Sequence, residues 1–209
     1  MVGTDVASRR KAYIAVALRR ARPGAGSRLD ILRAQTSYSV MDLRQIITQT
    51  EFVVVGGVAT HLYMPERATL DIDILVRARD AQRLSAELRN AGAARLGDLS
   101  IGGASWRLPD GTLLDTIESS APWVDAALAH SRAGPDGLPY VALPFLVVMK
   151  LQAGRVQDIA DISRMLGVAG PPALAGVRRV VAAYAPDAVE DLESLIALGQ
   201  LEAGGPPPG

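Results

Sequence analysis

Two aspartates, Asp71 and Asp73, frame a single isoleucine inside the apolar run formed by Leu70, Ile72, Ile74, Leu75 and Val76. Alternate residues of a strand face the same way, so the two carboxylates share one side while Ile72 and Ile74 take the other. Their Cα atoms are then about 6.5–7 Å apart, close enough for the side chains to converge on shared ions. Two like charges this close raise each other's pKa unless a cation neutralises them, which makes a divalent metal the simplest explanation of the pair. An all-oxygen donor set favours magnesium, which keeps several waters and is normally held by one or two carboxylates together with substrate phosphates. The ligand implied is a nucleoside triphosphate.

Upstream, Glu51-Phe-Val-Val-Val55 reads as a strand that ends at Gly56-Gly57, with a helix beginning at about Val58. Glycine has no Cβ to obstruct a phosphate, and the free amides at a helix start attract anions. Each feature has a plainer reading. A double glycine also makes a tight strand-to-helix turn, and paired acids on an edge strand also deter unwanted strand pairing. Their occurrence together in one β-turn-α-β unit favours the functional reading.

Gly57 and Asp71 have the spacing of the nucleotidyltransferase superfamily, whose signature is a Gly-Gly or Gly-Ser turn followed by an acid-x-acid strand. Within it the chain resembles the bacterial AbiEii-like and minimal nucleotidyltransferases, because Arg67-Ala-Thr69-Leu-Asp71-Ile-Asp73 matches their R-x-T-x-D-I-D stretch. A second match runs from Leu143-Pro144-Phe145 through Lys150 and Ala153 to Arg155, Asp158 and Asp161, like their apolar helix with a lysine followed by an arginine and spaced aspartates. The resemblance spans residues from about 51 to 166. It implies an α/β (α+β) fold, a nucleotidyltransferase-type mixed β-sheet flanked by helices, with a helical C-terminal part. It further implies an enzyme that moves a nucleoside monophosphate from a triphosphate to a hydroxyl, with one or two Mg2+ ions. The acceptor would be a tRNA end, a protein or a small molecule such as an antibiotic, in a toxin-antitoxin or phage-defence setting with an antitoxin partner.

The superfamily usually supplies a third carboxylate from a later strand. Asp115, in Thr112-Leu-Leu-Asp115-Thr-Ile117, is the candidate; by resemblance it completes the metal site and helps deprotonate the attacking hydroxyl. Asp110 and Glu118 compete, but Asp110 suits a turn with Gly111 and Glu118 a strand end. The metal set is thus Asp71, Asp73 and Asp115. Gly56, Gly57, Thr69, Lys150 and Asp158 are expected to bind the nucleotide.

Lys150 also stands out by composition: of 22 basic residues only Lys11 and Lys150 are lysines, the other 20 being arginines. A lysine kept on an otherwise apolar helix suits a point-charge partner for the β- and γ-phosphates, or equally a snorkelling side chain whose head reaches water. By resemblance Asp158 orients Lys150 or Arg155; surface pairing of Arg155 with Asp158, three residues on, is the alternative. The family often has a basic residue just before that aspartate, where this chain has Gln157. His61 and His130 lack metal-ligand spacing, and Trp106 and Trp123 read as packing residues.

The chain has no cysteine, which excludes disulfides, thiol nucleophiles and cysteine zinc sites. No stretch approaches the roughly 20 apolar residues of a membrane span, so the expected location is the cytoplasm. Net charge is zero, yet residues 1–40 carry eight basic side chains against Asp5 and Asp30. That surplus, broken by Arg22-Pro-Gly-Ala-Gly-Ser27, is expected to be a mobile extension ahead of a natural start at Met41, or else a nucleic-acid arm. The remaining divisions are a nucleotidyltransferase core at 41–142, the helical part at 143–201 and a disordered tail at 202–209. Within the core we expect helices at 41–50, 57–64, 79–91 and 121–130, and strands at 51–56, 69–77, 94–99, 103–108, 112–118 and 139–142. The alternative to an enzyme is a non-catalytic nucleotide- or partner-binding module that keeps the fold.

Overall fold

The computed structural model describes residues 5–24, 42–64 and 71–204. It divides into two compact units, one within residues 32–142 and one combining 1–31 with 143–209.

The first unit holds a mixed sheet of seven strands among the described residues, in the order β3-β4-β5-β2-β1-β7-β6. The strands are β1 (Val53–Val55), β2 (Ile72–Arg77), β3 (Ala94–Asp98), β4 (Gly103–Arg107), β5 (Leu113–Ser119), β6 (Arg132–Ala133) and β7 (Pro139–Tyr140). β2 runs parallel to β5 and β1 parallel to β7, and the other neighbours are antiparallel. In β2, Ile72, Ile74 and Val76 are buried on one face, as the alternation requires. Helices α3 (Gly56–His61), α4 (Ala81–Asn90) and α5 (Val124–Ala129) accompany the sheet, and Leu84 and Leu88 of α4 are buried. The fold is therefore the expected α/β arrangement of a mixed sheet with helices.

Two segments differ from expectation. A helix over 41–50 shrinks to one turn, α2 (Leu43–Ile46). The backbone N–H groups of Thr48 and Gln49 each donate to Glu87 Oε1 on α4, both at 2.7 Å, so that carboxylate takes donors a longer helix would have used. The other difference is β6, which pairs with β7 through a turn in which Asp136 Oδ1 accepts from the Leu138 N–H.

The second unit is helical: α6 (Leu143–Ala153), α7 (Val156–Gly167), α8 (Pro171–Tyr184) and α9 (Val189–Glu202), joined by α1 (Val6–Arg20). Residues 6–20 were expected to belong to a mobile basic arm. Instead they form a helix with Ile14 buried and Arg10 only 2% exposed, the Arg10 guanidinium donating to Asp191, to Asp187 and to the Leu151 carbonyl. A buried arginine persists because each charge is paired. No helix among the described residues is long and apolar enough to cross a membrane. Met41, the expected start, lies outside the described residues.

Candidate active site

Strand register decides which side chains meet. Asp73 of β2 is the partner of Asp115 on β5, and Val55 of β1 is the partner of Asp73 on the other side. Cross-strand partners share a face, and adjacent strands lie about 4.8 Å apart, so the Asp73 and Asp115 carboxylates stand side by side. Both residues are half-buried. The face opposite carries Ile72, Ile74, Leu114 and Thr116, all buried, which leaves the acids nowhere to turn but to the shared face.

Gly56 closes this arrangement from the end of β1. Its φ is +62°, and a Cβ there would lie 2.6 Å from Asp73 Cγ and closer still to Oδ2. The Asp73 carboxylate thus occupies the space that any other residue at position 56 would fill. The turn is secured by Thr60, whose buried hydroxyl donates to the Gly56 carbonyl at 2.7 Å. Gly57 follows in the first turn of α3.

Asp71 sits one residue ahead of β2 and is exposed. Thr69, expected to touch phosphate, lies outside the described residues, as does Arg67. Among the described residues no group of three or more His, Cys, Asp or Glu side chains is drawn together as a metal site. The Asp73–Asp115 pair offers two carboxylates in register, and one or two carboxylates with water and phosphate are the donor number magnesium needs. The competitors resolve as turn and rim residues. Asp110 caps its turn by accepting from the Thr112 N–H at 2.9 Å, and Glu118 lies on the face opposite Asp115. At the far end of β2, Arg77 donates to Asp125 and Glu51, and these carboxylates hold the guanidinium pKa above its ordinary value.

Lys150 and Asp158 belong to the helical unit. Lys150 is 7% exposed, and its Nζ donates to Asp161 Oδ2 at 2.7 Å and Asp158 Oδ1 at 3.3 Å. Asp158 is 1% exposed and also accepts from Arg155 Nε at 2.7 Å. The lysine on the apolar helix is thus occupied by two buried carboxylates from α7, rather than snorkelling to water.

Ser105 is the β4 partner of Asp115, so Ser105, Asp115 and Asp73 form a row across three strands. Only the strand register reveals it, because a lone serine between Ala104 and Trp106 has no motif.

No family model matches the chain, and no curated protein matches it. Among solved structures it is similar to ANT(2")-Ia in complex with adenylyl-2"-tobramycin, at 18% identity and TM-score 0.40, over 73% of this chain and 88% of that one. It is similar to the solution structure of the antibiotic-resistance factor ANT(2'')-Ia at 15% identity and TM-score 0.39, over 91% and 89% of the two chains. It is also similar to the Thermotoga maritima CCA-adding enzyme complexed with tRNA, at 14% identity and TM-score 0.30, over 73% of this chain and 47% of that one.

Proposed function

We propose that this chain is a magnesium-dependent nucleotidyltransferase that transfers a nucleoside monophosphate from a nucleoside triphosphate to a hydroxyl acceptor. The observation that carries this reading is the meeting of Gly56, Asp73 and Asp115: a turn with no Cβ, and two carboxylates in register beside it.

Asp73 and Asp115 would hold the metal, with Asp71 at the mouth of the strand as a further oxygen donor. When bound, magnesium supplies positive charge to the phosphate oxygens and orients them for in-line displacement. The Gly56-Gly57 turn lets the triphosphate approach backbone amides. Asp115 accepts the proton of the acceptor hydroxyl as that oxygen forms a bond to the α-phosphorus. The α–β phosphoanhydride bond breaks and pyrophosphate leaves. Thr69 would add a hydroxyl beside the phosphates.

The resemblance to AbiEii-like proteins supports a cytoplasmic toxin-antitoxin or defence role, with a tRNA end or a protein as acceptor and an antitoxin as partner. A role for Lys150 and Asp158 at the triphosphate would require Lys150 to leave its two carboxylates.

The test is incubation with each α-32P-labelled triphosphate, Mg2+, and total tRNA or cell protein, comparing the native chain with Asp73→Ala. Label transfer that needs Mg2+ and disappears in Asp73→Ala is the expected result. Nucleotide binding without transfer to any acceptor would favour a non-catalytic binding module, and transfer undiminished in Asp73→Ala would overturn the assignment.

A further inference from the structure

The cations of α1 divide between two faces. Arg10, with Ile14 and Ala17, turns toward the other helices of its unit, and its guanidinium is paired with Asp187 and Asp191. On the opposite side Arg9, Ala12, Val16, Arg19 and Arg20 fall within about 100° of arc at 3.6 residues per turn, and all five are exposed. None of these three arginines meets a carboxylate among the described residues. Other surface arginines of the chain are neutralised where they stand: Arg44 by Asp42, Arg83 by Asp80, Arg95 by Asp98 and Arg178 by Glu193.

This strip is held in place along its length. Arg10 also donates to the Leu151 carbonyl at 3.2 Å, and Val6 lies so close to Gly154 that a Cβ there would be 2.6 Å from Val6 Cγ1. Past the helix, the Gly24 N–H donates to the Leu201 carbonyl at 3.1 Å. Arg9 and Arg20 therefore stand about 16 Å apart along a fixed axis, with Arg19 beside Arg20. An unneutralised row of that length suits a run of phosphates, and a preformed helix presents it without an ordering cost. A bilayer surface suits it less. An interfacial helix sinks an apolar face among lipids, whereas Ile14 is buried within the protein and the outward strip has only Ala12 and Val16 between its cations.

We propose that the outward face of α1 docks the phosphodiester backbone of a nucleic acid through Arg9, Arg19 and Arg20. This binding surface goes beyond the transfer reaction and does not depend on it. Each phosphate neutralised by a cation releases counterions, so affinity falls with salt in proportion to the number of contacts.

Fluorescence anisotropy of labelled tRNA and of a labelled DNA duplex, each titrated with the full chain over about 50–200 mM salt without triphosphate, reads this number directly. Phosphatidylserine-containing vesicles form a third arm. The native chain is expected to bind nucleic acid with a steep salt dependence, the tighter of the two arms identifying the source of the backbone. Arg9→Gln, Arg19→Gln and Arg20→Gln combined are expected to leave the melting temperature unchanged, weaken binding at least about tenfold and lower the salt slope by about 3, one for each phosphate contact. The same three positions changed to lysine, which keeps the charge, should retain the native slope. Arg164→Gln with Arg179→Gln, which removes two exposed cations from α7 and α8, should change the slope by less than about 1. A native slope in the triple glutamine variant overturns the docking face, as does a comparable fall in the lysine form or in the α7 and α8 control. Absence of binding to both nucleic acids, or binding to the vesicles alone, also overturns it, and leaves untouched the label transfer compared between the native chain and Asp73→Ala.

Discussion

A methyl group added at Gly56 would meet the Asp73 carboxylate, and the residue's φ of +62° is one that L side chains adopt only at a cost. Gly56→Ala is therefore expected to lose at least about 1–2 kcal/mol of stability in urea unfolding, from backbone conformation alone. It should also weaken Mn2+ binding, because relief of the clash displaces Asp73. Lys150 makes the opposite case, a residue whose surroundings are already complete. Removing its charge in Lys150→Met leaves Asp161 and Asp158 buried with less compensation, which typically costs about 3–5 kcal/mol. Equilibrium unfolding measures this directly. Native stability with transfer abolished would assign Lys150 to the substrate instead. Asp73, Asp115 and Gly56 stood out in the sequence because strand alternation and glycine chemistry are local rules, and the fold sets Asp73 in register with Asp115 and against Gly56. The partners of Lys150 were legible only as residues of interest. That Asp158 and Asp161 turn inward to the lysine depends on how α6 and α7 pack, which one-dimensional spacing does not encode.

Between elements, a single side chain explains the shortened α2. Glu87 of α4 accepts from the Thr48 and Gln49 N–H groups and from the Thr48 hydroxyl at 3.2 Å. Burial acts to raise its pKa, but the neighbouring Thr50 hydroxyl and the hydrogen bonds from Gln49 and Thr48 outweigh it and hold the carboxyl below the ordinary glutamate value. A depressed carboxylate stabilises the fold fully above its unfolded pKa, about 4.3, and that contribution is lost as pH falls through the lower folded value. Glu87→Gln should therefore cost about 1–3 kcal/mol at neutral pH. The gap between variant and native chain should narrow below about pH 4, as thermal melts across pH 3–7 would show. A gap independent of pH would contradict the assignment. Sequence reading placed a helix over 41–50 because nothing local revealed a carboxylate arriving from residue 87. Strand periodicity, by contrast, located β2, β4 and β5 to within a few residues, since each buries one face.

At the scale of the whole chain, Arg10 ties residues far apart in sequence. It links α1 to the 3-10 turn Pro186–Ala188 at 3.1 Å through Asp187, to α9 through Asp191, and to the end of α6 through the Leu151 carbonyl. Arg10→Ala leaves Asp191 buried and unpaired, and is expected to destabilise the helical unit by about 3–5 kcal/mol and to make α1 sensitive to limited proteolysis. Unchanged stability and protease resistance would show that α1 contributes little. Composition marked this segment as a basic arm because eight cations among 40 residues look solvated. The pattern of Arg10 and Ile14, four apart on one face, was the available sign of a packed helix. The proposed activity turns on one place in this fold, where Gly56 abuts Asp73 and Asp73 lies in register with Asp115. Crystals grown with Mn2+ and a non-hydrolysable triphosphate analogue locate the ion by its manganese anomalous signal. The expected peak lies between the Asp73 and Asp115 carboxylates with the phosphates against Gly56-Gly57; a peak bound to neither aspartate, or phosphates seated away from that turn, would refute the proposal.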